Sequence, residues 1–376
     1  MLRSATVRTP ICDRLGIEFP LFAFSHCRDV VAEVSRAGGY GVLGALAFSP
    51  DQLEVELSWI DEHCGGRPYG VDFAMPEKFV GKGESFDLEA LRALIPAEHQ
   101  EFVEGILADH GVPPLPEGVE GVMKAAGLGV EAEGPAQVEL ALRHPISMLV
   151  NALGPPPAYA VEAAHARGVL VGALCGSPRH AQRNLERGVD VIIAQGTEAG
   201  GHCGEISTMV LVPEVVDTVG PDVPVLAAGG IGRGRQMAAA IALGAQGAWT
   251  GSIWLTVAES DTAPWVIENL LEAGFSDTVR SRAMTGKPAR QIRTAWTEAW
   301  DAQDAPAPLP MPLQGILYAP AAHRFMRVRS RPLSGSPAGQ IIGRVHAVRP
   351  ARDVFFEIIE EWIETTQGIA AGIAEE

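Results

Sequence analysis

The chain has 376 residues, of which 47% are hydrophobic and 20% are charged, and this balance is typical of a folded protein with a sizeable core rather than of a disordered one. Its 29 Lys and Arg residues against 46 Asp and Glu residues give a net charge of −17, which argues against nucleic acid and anionic membrane surfaces as partners. Five scattered cysteines without a CxxC pair argue against a disulfide framework and a zinc ribbon, and no metal site is predicted.

Short apolar runs, each followed by an amphipathic stretch, form the main fold signal along the chain. The runs are rich in Val, Leu and Ile and do not alternate with polar residues, which is typical of parallel strands covered on both faces. Eight such β-α units predict an α/β fold of the (β/α)₈ TIM barrel type, whose active site lies at the carboxyl ends of the strands. The predicted strands are Phe19–Phe24, Gly39–Gly44, Tyr69–Ala74, Ile146–Asn151, Val169–Leu174, Val189–Ala194, Val223–Ala228 and Gly247–Gly251.

Two regions interrupt this alternation and divide the chain into three predicted parts. Residues 1–258 form the predicted barrel domain, which contains an insertion at 75–134 with helical patterns and a proline-rich turn. Residues 259–334 are predicted to be an appendage that is helical at first and then extended and proline-rich. Residues 335–376 are expected to pack back on the barrel, with one amphipathic helix over Ala351–Ile369 that closes it.

A glycine-rich segment that contains a histidine follows the sixth predicted strand. Its sequence, AQGTEAGGHCG over residues 194–204, places three glycines around His202. A loop with so few side chains lets its backbone lie against a flat ligand and present N–H groups to it. Because histidine can hold or yield a proton near neutral pH, we interpret His202 as the candidate catalytic residue at the active end of the barrel.

Two further glycine-rich segments end the seventh and eighth predicted strands. They read VLAAGGIGRG over residues 225–234 and AWTGSIW over residues 248–254. TIM barrels often bind phosphate where the loops after these strands meet a helix N-terminus, because free N–H groups and the positive end of the helix dipole favour an anion. The residues predicted to form this phosphate pocket are Gly229, Gly230, Gly251 and Ser252.

Together these segments resemble the nitronate monooxygenase family, formerly called the 2-nitropropane dioxygenases. The resemblance rests on AQGTEAGGH and on VLAAGGIGRGRQMAAAIALGAQGAWTGS. It extends to TPICDRLGIEFPLF and SRAGGYGVLGA near the start, and to TGKPAR and GQIIGRVHAVRP near the end. It covers most of the chain except the insertion at about residues 76–134. The resemblance implies a TIM barrel that binds FMN and catalyses an oxidation.

The family resemblance also implies which residues meet the cofactor and the substrate. His202 matches the histidine that acts on the substrate beside the flavin. Gln195 and Gly200 match positions that contact FMN, and Gly230 matches a position near its phosphate. The full set of implied cofactor-binding residues is Ala23, Phe24, Asp72, Gln195, Gly200, Gly201, Gly229, Gly230, Trp249, Thr250, Gly251 and Ser252.

Two departures from the family pattern lie close to this implied site. The segment Ala23–His26 replaces a QAPM-like sequence, which makes His26 a candidate second polar group of the flavin pocket. Asp72 stands where the family usually has Asn. An anion beside the electron-accepting end of FMN would disfavour the reduced, negatively charged flavin unless the carboxyl were paired or protonated.

The leading hypothesis is therefore an FMN-dependent nitronate monooxygenase that oxidises alkyl nitronates with O₂ to a carbonyl compound and nitrite. A first alternative is an NAD(P)H-dependent flavin reductase of the quinone or enoyl-thioester type, with the insertion as a lid or docking surface. A second alternative is a flavin-binding protein without turnover. A small-molecule substrate and a cytoplasmic location are expected, because no signal sequence or membrane span is predicted, and a homo-oligomer is compatible with the sequence.

Overall fold

The structure of the chain is a computed structural model, which describes residues 8–75, 88–116 and 130–374. Its strands in chain order are β1 (Leu21–Ser25), β2 (Tyr40–Gly44), β3 (Tyr69–Phe73), β4 (Met148–Asn151), β5 (Leu170–Cys175), β6 (Val191–Gln195), β7 (Gly201–His202), β8 (Val225–Ala228), β9 (Gly247–Thr250), β10 (Thr278–Ser281) and β11 (Ala289–Ile292). Eight parallel strands close into a barrel in the order β1-β2-β3-β4-β5-β6-β8-β9, and β9 pairs with β1. The remaining three form a small antiparallel sheet in the order β10-β11-β7.

The predicted TIM barrel is confirmed, and every predicted barrel strand agrees with the observed one to within two residues at either end. Alternate side chains of each strand fill the inside of the barrel, as in β1, where Phe22 points inward. At the amino ends of the strands, Ile11 and Leu15 of the first helix belong to the same buried cluster and close the barrel from below. The open end is therefore the one at the carboxyl ends of the strands.

Helices cover the outside of the barrel and build the appendage. In chain order they are α1 (Pro10–Leu15), α2 (Arg28–Arg36), α3 (Pro50–His63), α4 (Leu88–Ala93), α5 (Ala97–Asp109), α6 (Val130–Ala141), α7 (Ala158–His165), α8 (Pro178–Leu185), α9 (Thr208–Val219), α10 (Gly234–Ala242), α11 (Pro264–Glu272), α12 (Ala295–Asp301), α13 (Leu313–Arg327) and α14 (Ala351–Ala374). The start of α3 shows how local sequence begins a helix: Ser49 and Gln52 form a capping box, and Pro50 occupies the first turn. No helix among the residues that the structure describes is both long and apolar enough to cross a membrane.

The insertion and the appendage share a second hydrophobic core, separate from that of the barrel. Leu107 of α5 packs in one buried cluster with Trp296 of α12 and Phe325 of α13. Residues 76–87 and 117–129 of the predicted insertion lie outside the described residues. The predicted appendage has no regular helix or strand over residues 306–310, where the proline-rich stretch was expected, but it also contains the hairpin β10–β11 and the 15-residue helix α13, which the sequence did not predict. Two of its prolines belong to α13, where Pro312 is the N-cap and Pro320 lies inside the helix.

The C-terminal segment returns to the barrel through a close contact between two helices. Helix α14 runs from Ala351 to Ala374 and so extends beyond the predicted end at Ile369. It packs on α10 so closely that a Cβ added to Gly234 would lie 2.1 Å from the amide nitrogen of Trp362. Only glycine fits at this crossing, which fixes α14 against the helix that follows β8.

Candidate active site

The carboxyl ends of the barrel strands open on a cavity of about 410 Å³. Its wall combines residues that follow β4, β5 and β6 with one turn of α8 and with the loop between β10 and β11. Its lining includes the cations Arg183 and Lys287 and, within the described ranges, no Asp or Glu, although the whole chain carries a net charge of −17. The cavity therefore suits an anionic ligand. The polar and reactive side chains in its wall are His180, Arg183, Asn184, Gln195, His202, Cys203 and Lys287.

His202 lies in β7, at the end of the glycine-rich segment. The backbone of β7 pairs with β11, so that Gly201 lies opposite Arg290 and His202 lies opposite Ala289. The sequence predicted a loop here, and the structure shows that its end is instead the edge of an antiparallel sheet. Gly201 has a φ of 76°, in the left-handed region that favours glycine, and this bend turns the chain from the barrel towards the hairpin.

The side chain of His202 is held by the hairpin of the appendage. Its Nε2 atom lies 2.7 Å from Oγ1 of Thr285, and Nδ1 has no hydrogen-bond partner in the described part of the chain. Burial, aided by the nearby charge of Lys287, lowers the pKa of His202 to about 4. The imidazole is therefore neutral at pH 7, so that one ring nitrogen carries a hydrogen and the other a lone pair.

Lys287 provides a half-buried cation in the same cavity. It follows Thr285 by two residues in the loop between β10 and β11, and it lines the cavity together with His202. Burial lowers the pKa of Lys287 from its ordinary value. A cation that has lost part of its water interacts more strongly with an anionic ligand than a fully solvated one does.

Two polar side chains point from inside the barrel towards its open end. Gln195 continues the inward alternation of Val191 and Ile193 along β6, lines the cavity, and has no side-chain hydrogen bond to any described residue. Asp72 on β3 is 4% exposed, and its Oδ1 atom is buried without a hydrogen-bond partner. Burial raises the pKa of Asp72 well above its usual range.

Aromatic side chains form the rest of the open end. The rings of Phe24 and Trp249 stack with their centroids 6.3 Å apart, and Phe24 also meets the edge of the His26 ring at 5.1 Å. His26 directs its Nδ1 to the carbonyl oxygen of Gly44, at 2.9 Å. The segment that departs from the family pattern thus packs Phe24 against Trp249 and His26 against Gly44.

At three predicted cofactor-binding positions, packing or hydrogen bonding within the protein already explains which residue is present. Ala23 is fully buried between the barrel and its helices. Thr250 donates a hydrogen bond of 2.8 Å to a backbone carbonyl of β1 and accepts one of 2.9 Å from Nε1 of Trp254. A Cβ on Gly200 would lie 2.8 Å from the Cα of Ala338, so packing alone requires this glycine. Any cofactor contact at these three positions uses backbone atoms.

The predicted phosphate pocket combines one open glycine, Gly251, with unpaired backbone N–H groups. Gly229 and Gly230 have φ values of 104° and 68°, which turn the chain sharply after β8. The amides of Gly230 and Ser252 donate to no acceptor among the described residues. A Cβ on Gly251 would meet no atom closer than 3.9 Å, so the space beside it is free. The hydroxyl of Ser252 accepts the N–H of Gly339 at 2.8 Å and keeps its own hydrogen for a ligand.

One expected part of this pocket is already occupied by protein. The sequence suggested that the helix after β8 directs its N-terminus at the phosphate, but the amide of Gly234 at the start of α10 donates instead to Glu361 of α14, at 2.8 Å. Arg233 and Arg235 also bind this carboxylate, the latter at 2.7 Å. The open N–H groups are thus those of the turn after β8 and of the short 3₁₀ helix Ser252–Trp254 after β9.

The chemical groups at the strand ends are of the kinds that would bind the flavin implied by the sequence. The unpaired amides of Gly230 and Ser252 and the free space beside Gly251 suit a phosphate, the stacked rings of Phe24 and Trp249 suit a flat ligand, and His202 lines a separate cavity for a substrate. Sequence reasoning did not single out Thr285 or Lys287, although both belong to the TGKPAR motif that contributed to the family resemblance. No cluster of potential metal ligands occurs within residues 8–75, 88–116 and 130–374.

Sequence comparisons show which known proteins this chain resembles. Residues 9–361 match the family described as nitronate monooxygenase. A Mycobacterium tuberculosis protein described as a "Putative monooxygenase" is 51% identical over 367 residues, which are 96% of this chain and 97% of that protein. A Staphylococcus saprophyticus protein described as a "Probable nitronate monooxygenase" is 29% identical over 315 residues, which are 80% of this chain and 82% of that protein.

Two solved structures resemble this chain over nearly its whole length. A nitroalkane oxidase from Streptomyces ansochromogenes superposes with a TM-score of 0.77 and 25% identity, covering 96% of this chain and 99% of that one. FabK from Thermotoga maritima superposes with a TM-score of 0.71 and 26% identity, covering 97% of this chain and 99% of that one. The two solved structures carry different names, so the fold and the overall likeness do not by themselves choose between their activities.

Proposed function

Because the chain belongs to the nitronate monooxygenase family, we propose that it uses bound FMN to oxidise alkyl nitronates with O₂, with a carbonyl compound and nitrite as products. Family membership makes the protein an oxidoreductase, and it supports a flavin as its cofactor. Nitro compounds as the substrate class are supported by the names of its relatives, a nitronate monooxygenase and a nitroalkane oxidase.

Bound FMN would supply the redox chemistry, since it can take electrons from a substrate and pass them to O₂. It would be held by the unpaired amides after β8 and β9 and by the inward-pointing side chains of Asp72 and Gln195. The protein then has to place the substrate over the ring, exclude water from it and control one proton.

His202 is the residue that we assign to the substrate proton. The Thr285 hydroxyl has a single hydrogen, which it donates to the carbonyl oxygen of Lys287 at 3.4 Å. In the tautomer whose Nε2–H donates to that hydroxyl oxygen, Nδ1 keeps its lone pair. A neutral imidazole with a free lone pair can remove the α-proton of a neutral nitroalkane, and in its protonated form it can hydrogen-bond the nitro oxygens of a nitronate.

Lys287 attracts and orients the anionic substrate. A nitronate carries its negative charge on the nitro oxygens, and a half-buried ammonium in the same cavity favours its entry despite the acidic surface of the protein. The guanidinium of Arg183 in the same wall adds to this potential.

The single observation that carries the proposal is the neutral His202, held at 2.7 Å by Thr285 in the wall of a cavity without acidic lining residues in the described chain. The FMN-loaded protein is expected to consume O₂ and release nitrite when given an alkyl nitronate such as propionate 3-nitronate. His202→Asn should retain FMN and lower kcat by about a hundredfold or more. His180→Asn, which changes an exposed histidine of the same cavity, is the matched control and should retain the activity.

A second candidate function is an NAD(P)H-dependent flavin reductase of the quinone or enoyl-thioester type. The observation in its favour is the likeness to FabK from Thermotoga maritima, which covers 97% of this chain. Under this function, NADH or NADPH would be needed for turnover, and a nitronate without pyridine nucleotide would give none.

A further inference from the structure

Asp72 is a carboxyl group inside the barrel, near the end of β3 that opens on the site. Its neighbours Val71 and Phe73 point outward into the core between the barrel and its helices, so the side chain of Asp72 points inward. It is 4% exposed. In the sheet it lies beside Gly44 of β2, which contributes no side chain and is covered by the ring of His26.

No described cation or hydrogen-bond donor balances this carboxyl. Its Oδ1 atom is buried without a partner, and no described residue forms an ion pair with Asp72. His26, which covers the neighbouring Gly44, uses its Nδ1 on the carbonyl oxygen of that glycine. An isolated carboxylate in such surroundings is strongly unfavourable, so the protein holds the acid in its neutral form. Burial is the cause, and it raises the pKa of Asp72 well above its usual range.

A neutral carboxyl can form more kinds of hydrogen bond with a ligand than a carboxylate can. A carboxylate only accepts hydrogen bonds, whereas a protonated carboxyl has an O–H donor and a carbonyl acceptor, which is the same pair of functions that an Asn side chain offers. A buried acid that stays neutral at pH 7 can therefore act as a hydrogen-bond donor in an active site.

We propose that Asp72 is a carboxylic acid whose O–H donates a hydrogen bond to the flavin bound at the open end of the barrel. The inference rests on the proposed flavin-dependent function and assigns one cofactor contact within it. It also removes the conflict that an acidic residue poses at this position, because a neutral Asp72 brings no negative charge against the reduced flavin.

Infrared spectroscopy tests the protonation state directly, because the C=O stretch of a carboxylic acid is separated from that of a carboxylate. Protein freed of flavin, at pH 7, is expected to show an acid band that Asp72→Asn lacks. Asp109→Asn, which changes an exposed aspartate at the end of α5, is the matched control and should retain the band. Addition of FMN to wild-type protein is expected to shift the band, because the O–H then donates to the flavin.

The affinity for FMN gives a second readout that needs no turnover. Asp72→Asn should bind FMN within about threefold of wild type, because its amide N–H can replace the O–H donor. Asp72→Ala should bind about tenfold more weakly, as expected for the loss of one hydrogen bond.

Two results would overturn the inference. Identical acid bands in wild type and Asp72→Asn would mean that Asp72 is ionised, and an Asp72 band that FMN leaves unshifted would mean that its O–H does not reach the flavin. The FMN-induced shift is measured on wild-type protein and does not depend on the folding of a variant. A protein that shows this shift but does not react with nitronates would refute the proposed function and leave the role of Asp72 intact.

Discussion

The Nε2 atom of His202 lies 2.7 Å from the Oγ1 atom of Thr285, so a residue that follows a barrel strand is oriented by one 83 positions later in the appendage. Pairing of β7 with β11 fixes the backbone of the same histidine. The appendage is therefore part of the active site, since the orientation of the imidazole depends on the hairpin that it provides.

The first prediction concerns the hydrogen bond between these two residues. Thr285→Val removes the hydroxyl and nearly preserves the volume, so it should free the imidazole to rotate and lower kcat by about fivefold to tenfold. Thr285→Ser retains the hydroxyl and should stay close to wild type. Nitrite release by FMN-loaded protein measures kcat, and flavin content checks that the cofactor is retained. Equal activity of the Val and Ser variants would show that the hydrogen bond does not position His202.

The second prediction concerns the stability of the protein in acid. Because the folded protein holds the pKa of His202 near 4 while the unfolded chain has the ordinary value of 6.5, the unfolded state binds more protons between these pH values. The contribution of His202 to stability is therefore complete above about pH 6.5 and is lost as the pH falls to about 4. The loss should reach about 3 kcal/mol, from 1.36 kcal/mol for each pKa unit.

Urea unfolding of flavin-free protein at a series of pH values measures this effect. His202→Asn should show a flatter dependence of the free energy of unfolding on pH between 4 and 6.5, whereas the control His180→Asn should follow wild type. If the curve of His202→Asn paralleled that of wild type, the imidazole would not be held neutral by the fold.

The third prediction concerns the cation in the cavity. Lys287→Met should raise KM for an alkyl nitronate by about tenfold or more, because one charge-assisted hydrogen bond is lost, and Lys287→Arg should restore much of the affinity. The same Met variant should raise the pKa of His202, since Lys287 contributes to its lowering. Steady-state kinetics and an NMR titration of the imidazole measure the two effects. An unchanged KM together with an unchanged pKa would remove Lys287 from the site.

The fourth prediction concerns the position of the cofactor phosphate. Gly251→Ala places a methyl group where the nearest atom is 3.9 Å away, and the φ of Gly251 is −130°, so the flavin-free protein should be as stable as wild type. If the phosphate lies against this glycine, the methyl group should lower FMN affinity by about tenfold or more. Gly105→Ala in α5, where the added Cβ also meets open space, is the control. Wild-type FMN affinity in Gly251→Ala would place the phosphate elsewhere.

The barrel could be predicted from the sequence because its strands are short, continuous and apolar. In β4 and β6 every residue up to the strand end is buried, so both faces of the sheet leave a hydrophobic signal that periodicity detects. The glycine-rich strand ends were found for a related reason, since positive φ values such as that of Gly230 leave glycine as the favoured residue.

The appendage could not be predicted in the same way because its structure depends on distant contacts. Strands β10 and β11 read TVRS and ARQI, which are too short and too polar to be distinguished from a loop, and they form by pairing with each other and with β7. The shared core of α5, α12 and α13 joins segments that are about 200 residues apart in the sequence. Thr285 and Lys287 were missed for this reason, since nothing local to them indicates the proximity of His202.

The most direct test of the central claim mixes FMN-loaded protein, without O₂, separately with an alkyl nitronate, NADH and NADPH, while the flavin absorbance is recorded in a stopped-flow instrument. Nitronate oxidation predicts that the nitronate alone changes the flavin spectrum and that subsequent addition of O₂ restores it, with release of nitrite. Rapid bleaching by NADH or NADPH, with no response to the nitronate, would contradict this function and identify the protein as a pyridine-nucleotide-dependent reductase.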